Sequence, residues 1–503
     1  MAAIRLLGAR AQRAISLSQR WSYLTRNVYR SASGVPDQMP PCDFQPSPYT
    51  GKSYEETLAT RKEHVSPGYL TYYKNPILIH QGHMQWVFDH TGRRYLDLFG
   101  GIVTVSVGHC HPKVSARVKD QMDKLWHLTN IYMHPGIHDY AEKLASKLPG
   151  DLKVVYFTNS GGEANELAML MARLHTGAFD IVSLRNCYHG TSPYTQGLTG
   201  MGTWKYPFAN GFGVHHAMNP DVYRGLWGGS NCRDSLSQTT RSCDCSQGNC
   251  NACDMYVEQF RDTIKFSVPK GKLAAFFVEP IQGVGGGTQY PKDFLRRAFE
   301  VTRESGGVCV ADEVQTGFGR LGSHFWGFEA AGVTPDIVTM AKGIGNGFPL
   351  AAVVTTPEIA STMTRSLHFN TYGGNPLACA AGSAVLDVIE EEGIQEKAGR
   401  VGRVFIEHLM SLRDEFECVG DVRGKGLMLA VELVTDKATQ EPLPAADMNQ
   451  IWEECKENGV LIGKGGFYGN IFRIKPPMCV TEDDVIFSTG VLRNALRNYT
   501  QSK

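Results

Sequence analysis

From about Tyr95 onward, short apolar runs rich in β-branched and aromatic residues alternate with longer amphipathic stretches. Val154–Phe157, Ile181–Leu184, Ala274–Val278, Gly307–Ala311 and Ile337–Met340 lack the polar alternation of a half-exposed strand, so they read as strands buried on both faces. Pro291–Ser305 lies between two of them. It sets Phe294, Leu295, Ala298, Phe299 and Thr302 on one helical face, and Gly306 is suited to end that helix. Strand–helix–strand repetition predicts an α/β fold with a mostly parallel sheet covered on both faces. Ligands bind such sheets beyond the carboxyl ends of the strands. The pattern then changes. Helical stretches at Pro376–Glu391 and Arg400–Glu415 precede a strand-like run, Gly424–Leu433, which predicts a smaller α+β C-terminal domain. The expected division is a linker and arm over 37–95, a large domain over 96–370 and a small domain over 371–503.

Composition narrows the class. The chain has 503 residues, 42% hydrophobic and 20% charged, as a globular protein with more than one core would have. No run approaches the roughly 18 apolar residues of a membrane span. Lys and Arg balance Asp and Glu at 50 each, so no net charge points to nucleic acid or a membrane surface as partner. The first 36 residues are the exception: they hold Arg5, Arg10, Arg13, Arg20, Arg26 and Arg30, many serines and no acid. That is the composition of a mitochondrial transit peptide, with a basic disordered tail as the other reading. A transit peptide places the mature protein in the matrix.

Chemistry gathers where strands end. Glu279, Asp312 and Lys342 each follow an apolar run, and charged groups are seldom buried unless paired or neutralised. Three such residues at the mouth of one sheet suggest a site. A buried lysine loses its charge readily and can attack a carbonyl. Thr158–Glu166 is a small-residue turn opening a helix, which forms either an anion site for a phosphate or a plain capped turn.

These segments resemble the class III, fold-type I aminotransferases, which depend on pyridoxal 5′-phosphate (PLP). The matching stretches are Asn159–Asn165, Tyr188-His189-Gly190, Val278–Gly283, Ala311–Arg320 and Ala341-Lys342-Gly343, in family order, and the likeness spans about residues 50–500. It implies that Lys342 is the Schiff-base lysine and proton carrier, that Asp312 pairs with the pyridinium and that Gln315 bonds the ring hydroxyl. Ser160 and Gly161 would hold the phosphate through backbone N–H groups, Tyr188 would stack on the ring, and Glu279 would support the polar network. Thr371 would reach the phosphate of a neighbouring subunit, making the protein a homo-oligomer of at least two chains. Arg473 would bind the substrate carboxylate, a task suited to a guanidinium; a rim arginine on an edge strand is the plainer reading.

Within the class the likeness is strongest to members that transfer the amino group of alanine to glyoxylate, giving pyruvate and glycine, with β-aminoisobutyrate and related donors also implied. Val284 stands where ornithine-specific members carry a glutamate able to pair with the carboxylate arginine, which speaks against an ornithine-type substrate. Two other functions stay open from sequence: a PLP-dependent phospho-lyase acting on a phosphorylated amino alcohol, and a binding protein built around a cysteine-rich loop. That loop holds Cys232, Cys243, Cys245, Cys250 and Cys253 within a polar stretch. The expectation is a loop without metal, with Cys243, Cys245, Cys250 and Cys253 as the candidate zinc ligands and a redox pair as a further alternative. His109 and His111, in a Gly-His-Cys-His-Pro sequence, are expected to shape a structural turn.

Overall fold

A computed structural model describes residues 38–246 and 249–503; the segment expected to be a transit peptide lies outside them. The stretch expected to be a linker and arm carries regular structure. Ser53 caps a helix over Tyr54–His64 in a reciprocal capping box with Glu56. Three strands follow, β1 (Ile79–His83), β2 (Trp86–Asp89) and β3 (Arg94–Asp97), paired antiparallel in that order. Trp86, Phe88 and Leu96 send this small sheet into the main core.

The central sheet has seven strands: β4 (Val154–Thr158), β5 (Asp180–Leu184), β6 (Val214–Ala217), β7 (Leu273–Val278), β8 (Val308–Asp312), β9 (Ile337–Met340) and β10 (Ala351–Thr355). Their spatial order is β4-β10-β9-β8-β7-β5-β6, and every pairing is parallel except the two made by β10. Each of β7, β8, β9 and β10 is buried along its whole length, because helices cover both faces of the sheet. The helix expected within Pro291–Ser305 forms over Phe294–Glu304, and Gly306 follows it with φ +84°.

The C-terminal part holds β11 (Val419–Lys425), β12 (Met428–Leu433), β13 (Val460–Leu461), β14 (Gly463–Gly465) and β15 (Ile471–Ile474). The run Gly424–Leu433, expected as one strand, is the turn and second arm of a hairpin. Gly426 has φ +55°, and a Cβ there would lie 2.5 Å from the Arg320 carbonyl oxygen, so the chain reverses at a point only glycine can occupy. The sheet β11-β12-β15-β14 is antiparallel, whereas β13 pairs with β3 and so ties the C-terminal part to the N-terminal sheet.

A buried ionic network joins the loop after β6 to β11 and β12. Arg233 bonds both oxygens of Asp421 at 2.8 and 2.9 Å, Arg423 reaches Asp421 at 3.0 Å and Glu432 at 2.7 Å, and Arg224 also pairs with Glu432. Burial alone would raise the Asp421 pKa, but Arg233 and Arg423 hold it below the usual carboxylate value. Truncating Asp421 leaves Arg233 buried without its counter-charge and Arg423 with Glu432 alone. Asp421→Ala is therefore expected to destabilise the fold by about 3–5 kcal/mol, measured as a lower urea midpoint at pH 7. A loss below about 1 kcal/mol would put the pair in the class of weak surface bridges.

Candidate active site

Five strand ends converge on one cavity of about 510 Å³, lined by most of the residues singled out from sequence: Ser160 and Gly161 after β4, Tyr188 after β5, Glu279 after β7, Asp312 and Gln315 at and after β8, and Lys342 after β9. This is the carboxyl edge of the sheet, where a parallel α/β fold leaves backbone groups free to meet a ligand.

One end of the cavity is a helix start. Ser160 caps the helix Gly161–Thr176: its hydroxyl accepts from the Glu163 N–H, and its own N–H donates to the Glu163 carboxylate at 3.0 Å. The Ser160 N–H is thus already engaged, which leaves its hydroxyl and the first-turn N–H groups of Gly161 and Gly162 to meet an anion. Gly161 sits against Val314, whose side chain would lie 3.1 Å from an added Cβ.

At the other end Asp312 is fixed from behind. Its Oδ2 accepts from Asn165 Nδ2 at 2.9 Å and lies 2.7 Å from His189 Nδ1, and its Oδ1 accepts from the Val314 N–H at 3.1 Å. Asn165 in turn accepts from Thr339 on β9 at 2.7 Å and donates to the His189 carbonyl at 2.9 Å. Asn165 and His189 are supports that sequence reasoning missed as such. Both stood inside the quoted family stretches, but only the fold shows that they meet behind the carboxylate.

Glu279 is buried and accepts from the N–H groups of Tyr188 at 2.9 Å and Gly283 at 2.7 Å, so it clamps the two loops flanking the cavity. Burial raises its pKa, while His189 and those N–H groups pull it back. Tyr188 lies edge-on to Trp204, with ring centroids 5.1 Å apart. Gln315 Oε1 accepts from Lys475 Nζ at 2.8 Å, which turns its amide N–H₂ toward other partners. Lys475, a fully buried lysine, also donates to the Gly283 carbonyl at 3.1 Å, and burial drives its pKa well below that of a free lysine. Nothing in its Ile-Lys-Pro-Pro context marked it in the sequence.

Lys342 follows β9 with φ +52°, a backbone state L-residues seldom adopt. Ser106 and Asn346 hold that turn: Ser106 Oγ donates to the Gly343 carbonyl at 2.7 Å, and Asn346 bonds the N–H of Val107 and the carbonyl of Gly108. Burial lowers the Lys342 pKa, Asp312 and Glu279 oppose that shift, and Arg473 adds to it. The net effect is an amine that sheds its proton more readily than a free lysine.

Arg473, on β15, is buried. One guanidinium nitrogen donates to the Lys464 carbonyl at 3.0 Å, its carbon lies 5.2 Å from the Phe99 ring centroid, and Nε and Nη1 have no partner among the described residues. Desolvation brings its pKa down to about 10. Phe99 is placed by four successive residues in left-handed backbone, Gly100 to Val103, with φ between 55° and 67°. Such a turn is costly for Ile102 and Val103 and is held by the Val103 N–H bonding to the Phe99 carbonyl.

Thr371 does not reach the cavity of its own chain. It is exposed, beside Leu367, Phe369 and Tyr372. His109 and His111 face carboxylates: His109 Nε2 is 2.8 Å from Asp97 and His111 Nε2 is 3.4 Å from Glu392. In the cysteine loop the structure gathers Cys232 with Cys245 and Cys250. Cys253, expected to be one of the set, lies apart, because it falls on the buried side of the helix Asn251–Ser267 against Arg297.

Residues 70–496 match the family model Aminotransferase class-III, and the chain belongs to that family. It is 57% identical to the human mitochondrial alanine–glyoxylate aminotransferase 2 over 467 residues, covering 93% of this chain and 91% of the human one. An Arabidopsis thaliana mitochondrial protein, alanine–glyoxylate aminotransferase 2 homolog 2, is 50% identical over 93% of this chain and 91% of its own. Among solved structures, an amine transaminase from an uncultivated Pseudomonas species in its PLP-bound form superposes with a TM-score of 0.77 at 32% identity, covering 86% of this chain and 98% of that one.

The cofactor of this class is PLP, and the cavity suits it. A helix start faces one end, a fixed carboxylate the other, and a readily deprotonated lysine lies between them.

Proposed function

We propose that this chain is a mitochondrial aminotransferase that moves the amino group of alanine to glyoxylate, releasing pyruvate and glycine. The observation that carries the reading is the convergence of Lys342, a rigidly held Asp312 and the helix start at Gly161 on one cavity, with the half-unpartnered Arg473 within electrostatic reach of the lysine. The relatives reported above bear transaminase names, and none of these features calls for elimination of phosphate from an amino alcohol.

When bound, PLP supplies a carbonyl that condenses with amines and a ring that takes up the electron pair left at the substrate α-carbon. The chain's own residues do the rest. Gly161 and Gly162 hold the phosphate by N–H groups at the positive end of the helix. Asp312, steadied by Asn165 and His189, keeps a proton on the pyridine nitrogen. Gln315, with its carbonyl occupied by Lys475, donates its amide N–H to the ring oxygen. Tyr188, which lines the cavity, would cover one face of the ring. Arg473 pairs with the substrate carboxylate through Nε and Nη1. Lys342 Nζ takes the proton from the α-carbon of alanine, and in the return half-reaction it delivers a proton to the carbon that becomes Cα of glycine.

The site is completed by a second copy of the chain. Leu367, Phe369 and Tyr372 flank Thr371, and the His127 ring lies tilted to Tyr372 with centroids 5.5 Å apart; Ile131, Tyr132 and Met133 are exposed as well. An apolar surface of this kind is covered in a stable protein, and covering it with a partner subunit brings Thr371 to that partner's phosphate.

The test supplies alanine and glyoxylate to the PLP-loaded mature protein and quantifies pyruvate and glycine. Equal amounts of the two products are expected. Arg473→Gln should raise KM for both substrates and lower kcat/KM by about 10²-fold or more, the loss of a charge-assisted carboxylate pair. It should alter turnover of amine donors that lack a carboxylate far less. Absence of product from PLP-loaded wild type would remove the alanine–glyoxylate reading and direct attention to β-aminoisobutyrate as donor.

A further inference from the structure

The cysteine loop lies outside the cavity, and the transamination chemistry makes no use of it. Its thiols are nonetheless arranged with some precision. Cys232 Sγ and Cys245 Sγ are 3.5 Å apart, Cys245 Sγ and Cys250 Sγ 3.7 Å, and all three sulfurs lie within 4.8 Å of one another. Four thiolates around one zinc ion, each about 2.3 Å from the metal, stand about 3.8 Å apart in a tetrahedron. The observed spacing falls at that value. It is well beyond the roughly 2.05 Å of a disulfide. Cys245 is also nearly equidistant from two partners, which a single disulfide does not require.

A fourth thiol is at hand. Cys243 lies two residues before Cys245 and packs with Cys245 and Cys250 against the same apolar cluster, and its Sγ donates to the Ser230 carbonyl at 2.6 Å.

The backbone is built to hold the set. The Asn249 N–H donates to the Ser246 carbonyl at 3.1 Å, next to where Cys250 meets Cys245. Cys250 is the N-cap of the 17-residue helix Asn251–Ser267, so the start of that helix fixes its position. Cys232 is fully buried at the other side of the cluster.

We propose that Cys232, Cys243, Cys245 and Cys250 form a structural site for one zinc ion. With four protein ligands the site is closed and takes no part in turnover. Its role follows from the residue after Cys232. Arg233 enters the buried network with Asp421 and also donates to the Val422 carbonyl at 2.8 Å, and Ser237 donates to the same carbonyl at 2.6 Å. The metal joins this segment to the helix Asn251–Ser267, so the loop braces β11 as a fixed piece.

The test uses the PLP-loaded holoenzyme purified without chelator under reducing conditions. Metal analysis is expected to find about one zinc per chain. Cys245→Ser and Cys250→Ser should each lose it, whereas Cys253→Ser should keep it. A variant that fails to fold is bypassed by growing wild type in cobalt medium. Cobalt in this site should show the strong red d–d bands of tetrahedral thiolate ligation, clear of the cofactor's own absorption. Less than about a tenth of an equivalent of zinc, with no such cobalt bands, would overturn the proposal. So would zinc retained in the Cys245→Ser, Cys250→Ser double variant, or a Cys232–Cys245 disulfide found by mass mapping of the holoenzyme.

Discussion

Replacing Lys342 with alanine is expected to cut glycine formation from alanine and glyoxylate by at least about 10⁴-fold, some 5 kcal/mol or more of barrier. The size follows from two tasks resting on one atom. Nζ is the group that attaches to the cofactor carbonyl, and once released it is the base for the α-proton. Among the described residues no other amine lines the cavity: Lys475 is committed to Gln315 and the Gly283 carbonyl. Folding should be little affected, because Lys342 Nζ has no hydrogen bond to lose among the described residues and a buried amine is removed with it. Lys342→Arg should fail as badly, since a guanidinium stays protonated across the working range. The protein should also lose its visible absorption from attached cofactor while keeping its circular dichroism. Retention of more than about a tenth of wild-type turnover by either variant would mean that another group carries the proton.

The pH dependence has a definite sign. Burial, reinforced by Arg473, lowers the Lys342 pKa despite Asp312 and Glu279. The neutral amine is therefore reached at lower pH than for a free lysine, and activity limited by that ionisation rises with pH below that pKa and levels above it. Arg473→Gln removes one of the groups that lower the pKa, so the rising limb should move to higher pH.

The residues that react were legible in the sequence because each follows a strand too apolar to be anything but buried, and a charge at such a point needs a reason. Lys342 after Ile337–Met340 and Asp312 at the end of Val308–Ala311 are the plainest cases. Strands of the sheet interior were legible for the same reason. β6 was not, because Val-His-His-Ala has the hydropathy of a loop and becomes a strand only by pairing with β5. β10 was missed because Ala351–Thr355 sits close behind the lysine turn and is the one strand running against the rest. The hairpin at Gly426 looked continuous since both arms are apolar. Partners of site residues were the hardest to see: Asn165–Asp312, Lys475–Gln315 and Cys232–Cys245 join positions 147, 160 and 13 residues apart. Spacing in the sequence carries no trace of the first two. For the cysteines, local spacing favoured the Cys-x-x-Cys pair of 250 and 253, but one turn of helix sends Cys253 inward.

Asp312→Asn tests whether the carboxylate acts through its charge or only through its shape. The side chain keeps its size, and its remaining oxygen can still face Asn165 Nδ2 and His189 Nδ1, both of which act as donors toward Oδ2 in the native arrangement. That choice puts the amide's N–H₂ where Oδ1 now accepts from the Val314 N–H, and toward the ring nitrogen it could only donate. A nitrogen that accepts a hydrogen bond carries no proton, so the ring loses the positive charge that draws electrons from the α-carbon. The expected result is a fall of about 10²–10³-fold in kcat, the usual worth of one preorganised electrostatic group. KM for alanine should change little, since Arg473 and the phosphate-facing helix start are untouched. Proton removal should then become more fully rate-limiting, so the primary isotope effect with α-deuterated alanine should rise. A fall within about tenfold, with the isotope effect unmoved, would leave Asp312 as a structural anchor for His189 and Asn165. In that case His189→Ala, which removes a support and leaves the Asp312 carboxylate in place, should be the more damaging change.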